Sequence, residues 1–192
     1  ERQPGSNFKP FLYAAALEAG FTAASIINDA PVVMEDNSLE DIWRPENDGG
    51  KFYGPTRLRV ALTKSRNLVS IRLLQQLGVR ELIDAVGRYG FDTQNFNPDL
   101  SLALGTRTMT PLEVATGYAM IANGGYKVEP YLIERVENMA GDVIHQARPL
   151  TVCRDCDQRL PVETTDELSM EEILARDSID EAGPPPAPRV ME

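Results

Sequence analysis

Residues 2–11 read Arg-Gln-Pro-Gly-Ser-Asn-Phe-Lys-Pro-Phe, and this stretch decides how the fold is interpreted. Its Pro4-Gly5 pair is a turn signal. The segment 8–19 that follows is apolar, rich in Ala and Leu, and closed by Gly20, where a left-handed helix cap is expected. The stretch therefore predicts a turn that leads directly into a helix.

Ser6 stands at the junction between this turn and the helix. In a regular helix the ring of Pro10 would crowd the Ser6 carbonyl, because the two residues are four apart. We therefore expect the backbone at Ser6 to depart from ideal helix geometry, which helps to expose its side chain. The Ser6 N–H at a helix start is also a candidate oxyanion donor.

Lys9 is the candidate base for Ser6. A serine hydroxyl is a poor nucleophile at neutral pH and needs a neighbouring base, and residues three apart share a helix face. Lys9 can accept a proton only if its pKa falls from about 10.4. The alternative is that Ser6 is a helix cap and Lys9 a surface residue, since an S-x-x-K pattern by chance is unremarkable.

A second polar pair, Ser65 and Asn67, flanks Arg66 between two predicted helical segments. Two side chains in such an i, i+2 arrangement can point together into a cleft. Taken alone, the pair is better explained as an ordinary cap of the following helix.

The surroundings of both pairs resemble the active-site motifs of penicillin-recognising serine enzymes, which combine S-x-x-K, S-x-N and K-[T/S]-G. Residues 2–11 resemble the extended signature of bifunctional class A penicillin-binding proteins. The resemblance covers about residues 2–146, and further similar strings are 43–47, 54–56, 61–69, 102–105, 110–113 and 122–125.

This resemblance implies an α+β transpeptidase domain of the penicillin-binding and serine β-lactamase type, here mainly its helical part plus a hairpin. It implies a D,D-transpeptidase that cross-links peptidoglycan stem peptides ending in D-Ala-D-Ala and is acylated by β-lactam antibiotics. Ser6 would be the nucleophile, Lys9 its base, Ser65 the proton relay and Asn67 the residue that holds an amide of the substrate. Serine acyl transfer needs no cofactor and no metal.

The third motif is absent from this sequence. None of its four lysines precedes Thr-Gly or Ser-Gly. We expect the chain to be part of a longer protein in which that strand follows. Two alternatives stay open: a β-lactamase-like hydrolase of the same fold, although the E-x-x-L-N string of class A enzymes does not occur, and a catalytically degenerate penicillin-binding scaffold.

Composition divides the chain into residues 1–150, part of the transpeptidase domain, and residues 151–192, an acidic, Pro-rich insertion or connector. Residues 151–192 hold four Arg against eleven Asp and Glu, within a net charge of −10.

The chain has no basic stripe, which argues against nucleic-acid binding. No apolar run is long enough to span a membrane. The resemblance implies a location at the periplasmic face of a bacterial inner membrane, with a membrane anchor outside this chain. It also implies other cell-wall synthesis proteins as candidate partners.

Cys153 and Cys156 form a C-x-x-C pair, and His145 is the only histidine. Zinc normally takes four ligands, so a local disulfide or two idle thiols are favoured over a metal site. We interpret His145, in a predicted strand, as structural.

The remaining elements follow from periodicity and caps. Thr56 is predicted to cap a helix through Leu62, and Thr110-Pro111-Leu112-Glu113 predicts a capping box. The other predicted elements are a short strand at 32–34, helices at 68–77 and 81–88, a helix ending at 122, strands at 130–136 and 142–145, and a weak helical segment at 168–175.

Overall fold

A computed structural model describes residues 1–35, 42–94, 96–152 and 186–191. The described residues form two units, 1–125 with 190–192 and 126–189. The helices are α1 Lys9–Glu18, α2 Leu58–Thr63, α3 Asn67–Leu77, α4 Val79–Arg88 and α5 Pro111–Ala122, with 3₁₀ helices at Gly5–Phe8 and Leu100–Leu104. The strands are β1 Ile26–Asp29, β2 Met34–Glu35, β3 Ile42–Trp43, β4 Gly54–Arg57, β5 Arg135–Glu137 and β6 Val143–Gln146.

The entry into α1 departs from regular helix geometry, as the position of Pro10 predicts. Gly5–Phe8 is a 3₁₀ helix, and the Lys9 N–H donates to the Ser6 carbonyl three residues earlier. Pro10 has no N–H to continue the α-helical pattern back to that carbonyl. The chain leaves α1 through Gly20, whose φ of +94° supports the predicted cap.

The core of the first unit lies between α1 and the pair α3 and α4. Phe11 and Leu12 of α1 are fully buried, as are Leu68, Ile71 and Leu74 of α3. Aromatic rings extend this core from the start of α1 towards α4 and α5, in tilted and edge contacts that aromatic quadrupoles favour. The ring pairs are Phe8–Phe11, Phe8–Phe91, Phe8–Phe96, Phe11–Phe91 and Phe11–Tyr118.

Most predicted helices are confirmed. The capping box at the start of α5 is complete, with the Thr110 hydroxyl accepting from the Glu113 N–H and the Glu113 carboxylate accepting from the Thr110 N–H. α3 and α4 match the predicted ranges to within two residues. Their strong apolar periodicity and the terminal Gly78 explain this agreement.

Predictions for the segment before α2 were wrong in three respects. Thr56 does not cap α2, because it lies in β4 and its hydroxyl donates to the Gly54 carbonyl, while Arg57 occupies the cap position without a side-chain bond. The segment also contains an antiparallel pair, β1 with β4, that was not predicted. The short strand expected at 32–34 is displaced to β2, which pairs with β3. These strands are too short for a period-2 pattern to register.

The second unit contains the predicted hairpin, formed by the antiparallel strands β5 and β6. β5 is shorter than expected, covering Arg135–Glu137 rather than 130–136. His145 lies on β6, opposite Val136. The Cys153–Cys156 pair and the helical segment predicted at 168–175 lie outside the described residues. Within the described ranges, no helix is long and apolar enough to cross a membrane.

Gly117 of α5 is a test of the aromatic core. A Cβ at this position would lie 2.7 Å from Phe91 and 2.8 Å from Phe11. We expect Gly117→Ala to lower the free energy of unfolding by about 1–2 kcal/mol, because overpacking outweighs the gain in helix propensity. Gly87→Ala in α4 is the matched control, since its Cβ would meet only Thr93 at 3.7 Å. Thermal unfolding of the full-length variants measures both, and equal effects at the two positions would contradict this packing argument.

Candidate active site

Lys9 carries the one amine that the described residues bury, with 1% of the residue exposed. Its Nζ donates three hydrogen bonds: to the Ser65 carbonyl at 2.8 Å, to Ser65 Oγ at 3.0 Å and to Asn67 Oδ1 at 2.7 Å. A lysine ammonium has three donors and no acceptor. The three oxygens therefore satisfy a protonated Lys9 completely.

Burial opposes that protonated state. Desolvation lowers the pKa of Lys9 from 10.5 to about 8, because the charged amine loses its hydration. A neutral amine is thus accessible near the physiological range. Lys9 can therefore accept a proton, as a base must.

Ser65 connects Lys9 to Ser6. The Ser65 hydroxyl donates to Ser6 Oγ at 2.9 Å while it accepts from Lys9 Nζ. A direct contact between Lys9 and Ser6 was expected from their spacing, but the hydrogen bonds of Lys9 Nζ in the described part of the chain all go to residues 65 and 67. Ser6 and Ser65 are exposed, so the three residues link the buried amine to the surface.

The backbone at Ser65 is strained. Its φ is +51°, the one positive value at a non-glycine position among the described residues. A left-handed conformation at such a residue costs roughly 1–3 kcal/mol and persists where its surroundings impose it. Here the α2–α3 junction imposes it, because the Ser65 N–H donates to the Leu62 carbonyl and the Arg66 N–H to the Ala61 carbonyl. This conformation directs both oxygens of Ser65 towards Lys9.

Asn67 begins α3, and both ends of its side-chain amide are engaged. Oδ1 accepts from Lys9, and Nδ2 donates to the Glu46 carbonyl at 2.8 Å. The resemblance predicts that Asn67 holds an amide of the substrate. In this structure its amide oxygen accepts from Lys9 and fixes the position of the amine.

The Ser6 turn is supported by residues that sequence reasoning did not assign to the site. Gly105, with φ +66°, lies so close to Gly5 that a Cβ on it would be 2.2 Å from the Gly5 carbonyl oxygen. The Gly5 N–H donates to the Gly105 carbonyl, and Arg2 and Met109 exchange two backbone hydrogen bonds. Residues 102–105 belong to one of the strings that resemble the family, but the sequence did not predict their contact with the Ser6 turn. The close approach of two backbones leaves no periodic signal in a sequence.

No three His, Cys, Asp or Glu side chains in the part of the chain that the structure describes lie close enough to hold a metal ion together. The site consists of two hydroxyls, an amine and an amide. Such groups can attack a carbonyl, move a proton and bind an amide.

Penicillin-binding proteins are among the solved structures that resemble this chain. The chain matches the crystal structure of penicillin-binding protein 1A from Haemophilus influenzae with a TM-score of 0.80 and 36% identity, over 98% of this chain and 27% of that one. It also matches the penicillin G acyl-enzyme complex of penicillin-binding protein A from M. tuberculosis with a TM-score of 0.65 and 27% identity, over 77% of this chain and 38% of that one. The fold is therefore the α+β penicillin-binding transpeptidase fold, represented here by part of the domain.

Sequence comparison agrees. Residues 1–183 match the family described as "Penicillin binding protein transpeptidase domain". The chain belongs to this family. It is 53% identical over 163 residues to penicillin-binding protein 1A of Pseudomonas aeruginosa, covering 85% of this chain and 19% of that protein. It is 45% identical over 156 residues to penicillin-binding protein 1A of Escherichia coli, covering 81% and 18%. The chain thus spans about a fifth of the length of these relatives.

The lowered pKa of Lys9 predicts a pH dependence of stability. Between about pH 8 and 10.5 the unfolded chain holds a proton on Lys9 that the folded chain has released, so the free energy of unfolding rises with pH. The rise that Lys9 contributes from pH 7.5 to 9.5 is about 2 kcal/mol. Thermal unfolding of the full-length protein and of its Lys9→Met variant over this range isolates the contribution. Parallel pH profiles of the two proteins would contradict a depressed pKa.

Proposed function

We propose that this chain supplies the nucleophile, the base and the proton relay of a D,D-transpeptidase that forms a serine acyl-enzyme on D-Ala-D-Ala stem peptides. The observation that carries the proposal is the hydrogen-bonded series from Ser6 Oγ through Ser65 Oγ to Lys9 Nζ. The named relatives are penicillin-binding proteins, one of them captured as a penicillin G acyl-enzyme. We extend the same acylation by β-lactams to Ser6.

The first step is attack of Ser6 Oγ on the carbonyl of the penultimate D-Ala. The Ser6 proton passes to Ser65 Oγ as the Ser65 proton passes to neutral Lys9 Nζ, so each hydroxyl gives one proton and Ser65 also receives one. Lys9 then becomes an ammonium with three donors facing three fixed oxygens. The site is thus complementary to the state that follows proton transfer, where stabilisation accelerates the reaction.

Release of D-Ala reverses this flow. The Lys9 ammonium returns a proton through Ser65 to the departing amine as the carbon–nitrogen bond breaks, leaving the acyl group on Ser6. An amine of a neighbouring stem peptide then attacks the acyl-enzyme carbonyl, and its proton passes through Ser65 to Lys9. As the ester bond to Ser6 Oγ breaks, Lys9 returns a proton through Ser65 to Ser6 Oγ, which leaves as a hydroxyl, and the new amide is the cross-link.

This site needs groups beyond the present sequence. The K-[T/S]-G motif, which in the family completes the site, does not occur in the 192 residues. We therefore propose the activity for the full-length protein, at the periplasmic face of a bacterial inner membrane. Its proposed partners are peptidoglycan stem peptides, β-lactam antibiotics as covalent inhibitors, and other cell-wall synthesis proteins.

Ser6→Ala is expected to abolish covalent labelling of the full-length protein by a fluorescent penicillin. It should change the free energy of unfolding by less than about 1 kcal/mol, because an exposed hydroxyl at a helix start contributes little. Ser25→Ala is the control, since in the described part of the chain the hydrogen bonds of the Ser25 side chain stay within the turn, to Thr22. Persistent labelling of the Ser6 variant would exclude it as the nucleophile, and wild-type acyl-enzyme that turns over within seconds would favour a hydrolase.

The rate of acylation by penicillin is expected to rise with pH and to level off above about pH 8. Only neutral Lys9 can accept the relayed proton, and the neutral fraction grows as pH passes its pKa of about 8. Lys9→Arg should remain inactive across the range, because arginine does not lose its proton. Stopped-flow labelling from pH 6 to 9.5 measures both, and a pH-independent wild-type rate or an active arginine variant would rule out Lys9 as the base.

A further inference from the structure

Asn47 is a buried side chain outside the motifs that contacts the start of α3. It is 4% exposed, and its Oδ1 accepts from the Asn67 N–H at 2.9 Å and from the Leu68 N–H at 3.3 Å. α3 has no cap of its own, because Arg66 at the cap position makes no side-chain hydrogen bond. Asn47 therefore satisfies the free N–H groups of a helix that begins twenty residues later in the sequence.

The orientation of the Asn47 amide is determined by its partners. Its Nδ2 donates to Asp29 Oδ1 at 2.7 Å and to the Lys51 carbonyl at 2.9 Å, and both of these groups only accept. The opposite face of the amide meets two N–H donors. A flipped amide would lose all four contacts, so Asp29 and Lys51 fix which end faces α3.

Asp29 is fully buried, at 0% exposed, and its Oδ1 accepts a hydrogen bond from Asn47. Among the residues that the structure describes, its Oδ2 has no hydrogen-bond partner, and it lies 3.9 Å from Arg66 Nε. The Arg66 guanidinium stacks 3.4 Å from the centre of the Tyr53 ring. An incompletely satisfied buried carboxyl group is costly, which indicates that it is retained for what it positions.

These contacts converge on the residue that holds Lys9. Glu46 binds the side chain of Asn67 through its carbonyl, and Asn47 binds its backbone N–H. Asn67 Oδ1 in turn accepts the shortest of the three Lys9 hydrogen bonds. Two consecutive residues thus fix both the position and the rotation of the amide that faces the amine.

We propose that Asn47, oriented by Asp29, is a positioning residue for acylation. It acts through Asn67 on Lys9 and contacts neither Ser6 nor Ser65 in the described hydrogen bonds. The proposal rests on the proposed serine acylation and adds to it a determinant of the chemical step. Because Asn67 Oδ1 faces Lys9, we expect a change at Asn47 to alter the rate of the acylation step more than the binding of a β-lactam before it.

The test uses a charge swap in the full-length protein. Asn47→Asp keeps the shape and the acceptor towards α3 but places a second carboxyl group against Asp29. The double variant Asn47→Asp with Asp29→Asn restores one amide facing one carboxyl group. Asn28→Asp is the matched control, because Asn28 adjoins Asp29 on β1 but is exposed.

Stopped-flow acylation by a fluorescent penicillin separates the dissociation constant of the initial complex from the rate of the acylation step. For Asn47→Asp we expect the acylation step to slow between about 10-fold and 100-fold, as a small misplacement of a reacting group does. The dissociation constant and the final labelling stoichiometry should stay within about twofold of wild type, and the double variant should recover to within about threefold. Asn28→Asp should behave as wild type.

Hydrogen exchange of the peptide that covers residues 65–70 gives a readout independent of chemistry, and it should accelerate in Asn47→Asp and recover in the double variant. A wild-type acylation rate in Asn47→Asp would overturn the proposal, as would a double variant as slow as the single one. If the Ser6→Ala variant is still labelled, the wild-type protein is acylated at another residue. That result would overturn the proposed function and this role of Asn47 with it. Loss of binding rather than of the acylation rate would assign Asn47 to substrate recognition and overturn a positioning role.

Discussion

The placement of one buried amine governs the rest of this structure. An ammonium removed from water costs several kcal/mol unless its donors are satisfied, and Lys9 has just three oxygens to satisfy it. All three oxygens belong to Ser65 and Asn67. The start of α1 and the α2–α3 junction must therefore keep their relative positions to within the tolerance of a hydrogen bond. The fully buried apolar residues of α1 and α3 provide the rigid contact that keeps them there.

Each side of that contact is fixed by a different means. On the α1 side, backbone approaches backbone: Gly105 leaves room for the Gly5 carbonyl, and the Arg2–Met109 pair holds the incoming chain. On the α3 side, the side chain of Asn47 caps the helix although it lies twenty residues earlier in the sequence. Asn47 is oriented in turn by Asp29 of β1. The small strand pair β1 and β4 therefore matters to the site because it supports a buried carboxyl group.

The sequence predicted the helices well because their signals are local. The periodicity of α3 and the Thr110 capping box each lie within a dozen residues, and the clash between Pro10 and the Ser6 carbonyl predicted a departure from regular helix geometry at Ser6. The four candidate site residues came from motifs, and the resemblance predicted a relay role for Ser65; the structure brings the four residues together. The hydrogen bonds that join Ser6, Ser65 and Lys9 in series and the contacts of Asn47 were not predictable, because they connect side chains that lie about 20 to 60 residues apart in the sequence.

The features that cost stability in this unit lie far apart in the sequence but are joined by hydrogen bonds through Asn67 and Asn47. Lys9 is desolvated, Ser65 has a left-handed backbone, and one oxygen of Asp29 has no hydrogen bond within the part of the chain that the structure describes. A sequence selected for folding alone would replace each of them, since an apolar residue, a glycine and an amide would each relieve its position. Their connection, against a core of fully buried residues that offsets them, is the pattern expected where local stability is given up for a fixed arrangement of reactive groups. That pattern supports the proposed reactivity of Ser6 more directly than the motif spacing does, because a helix cap needs neither a buried amine nor a strained neighbour.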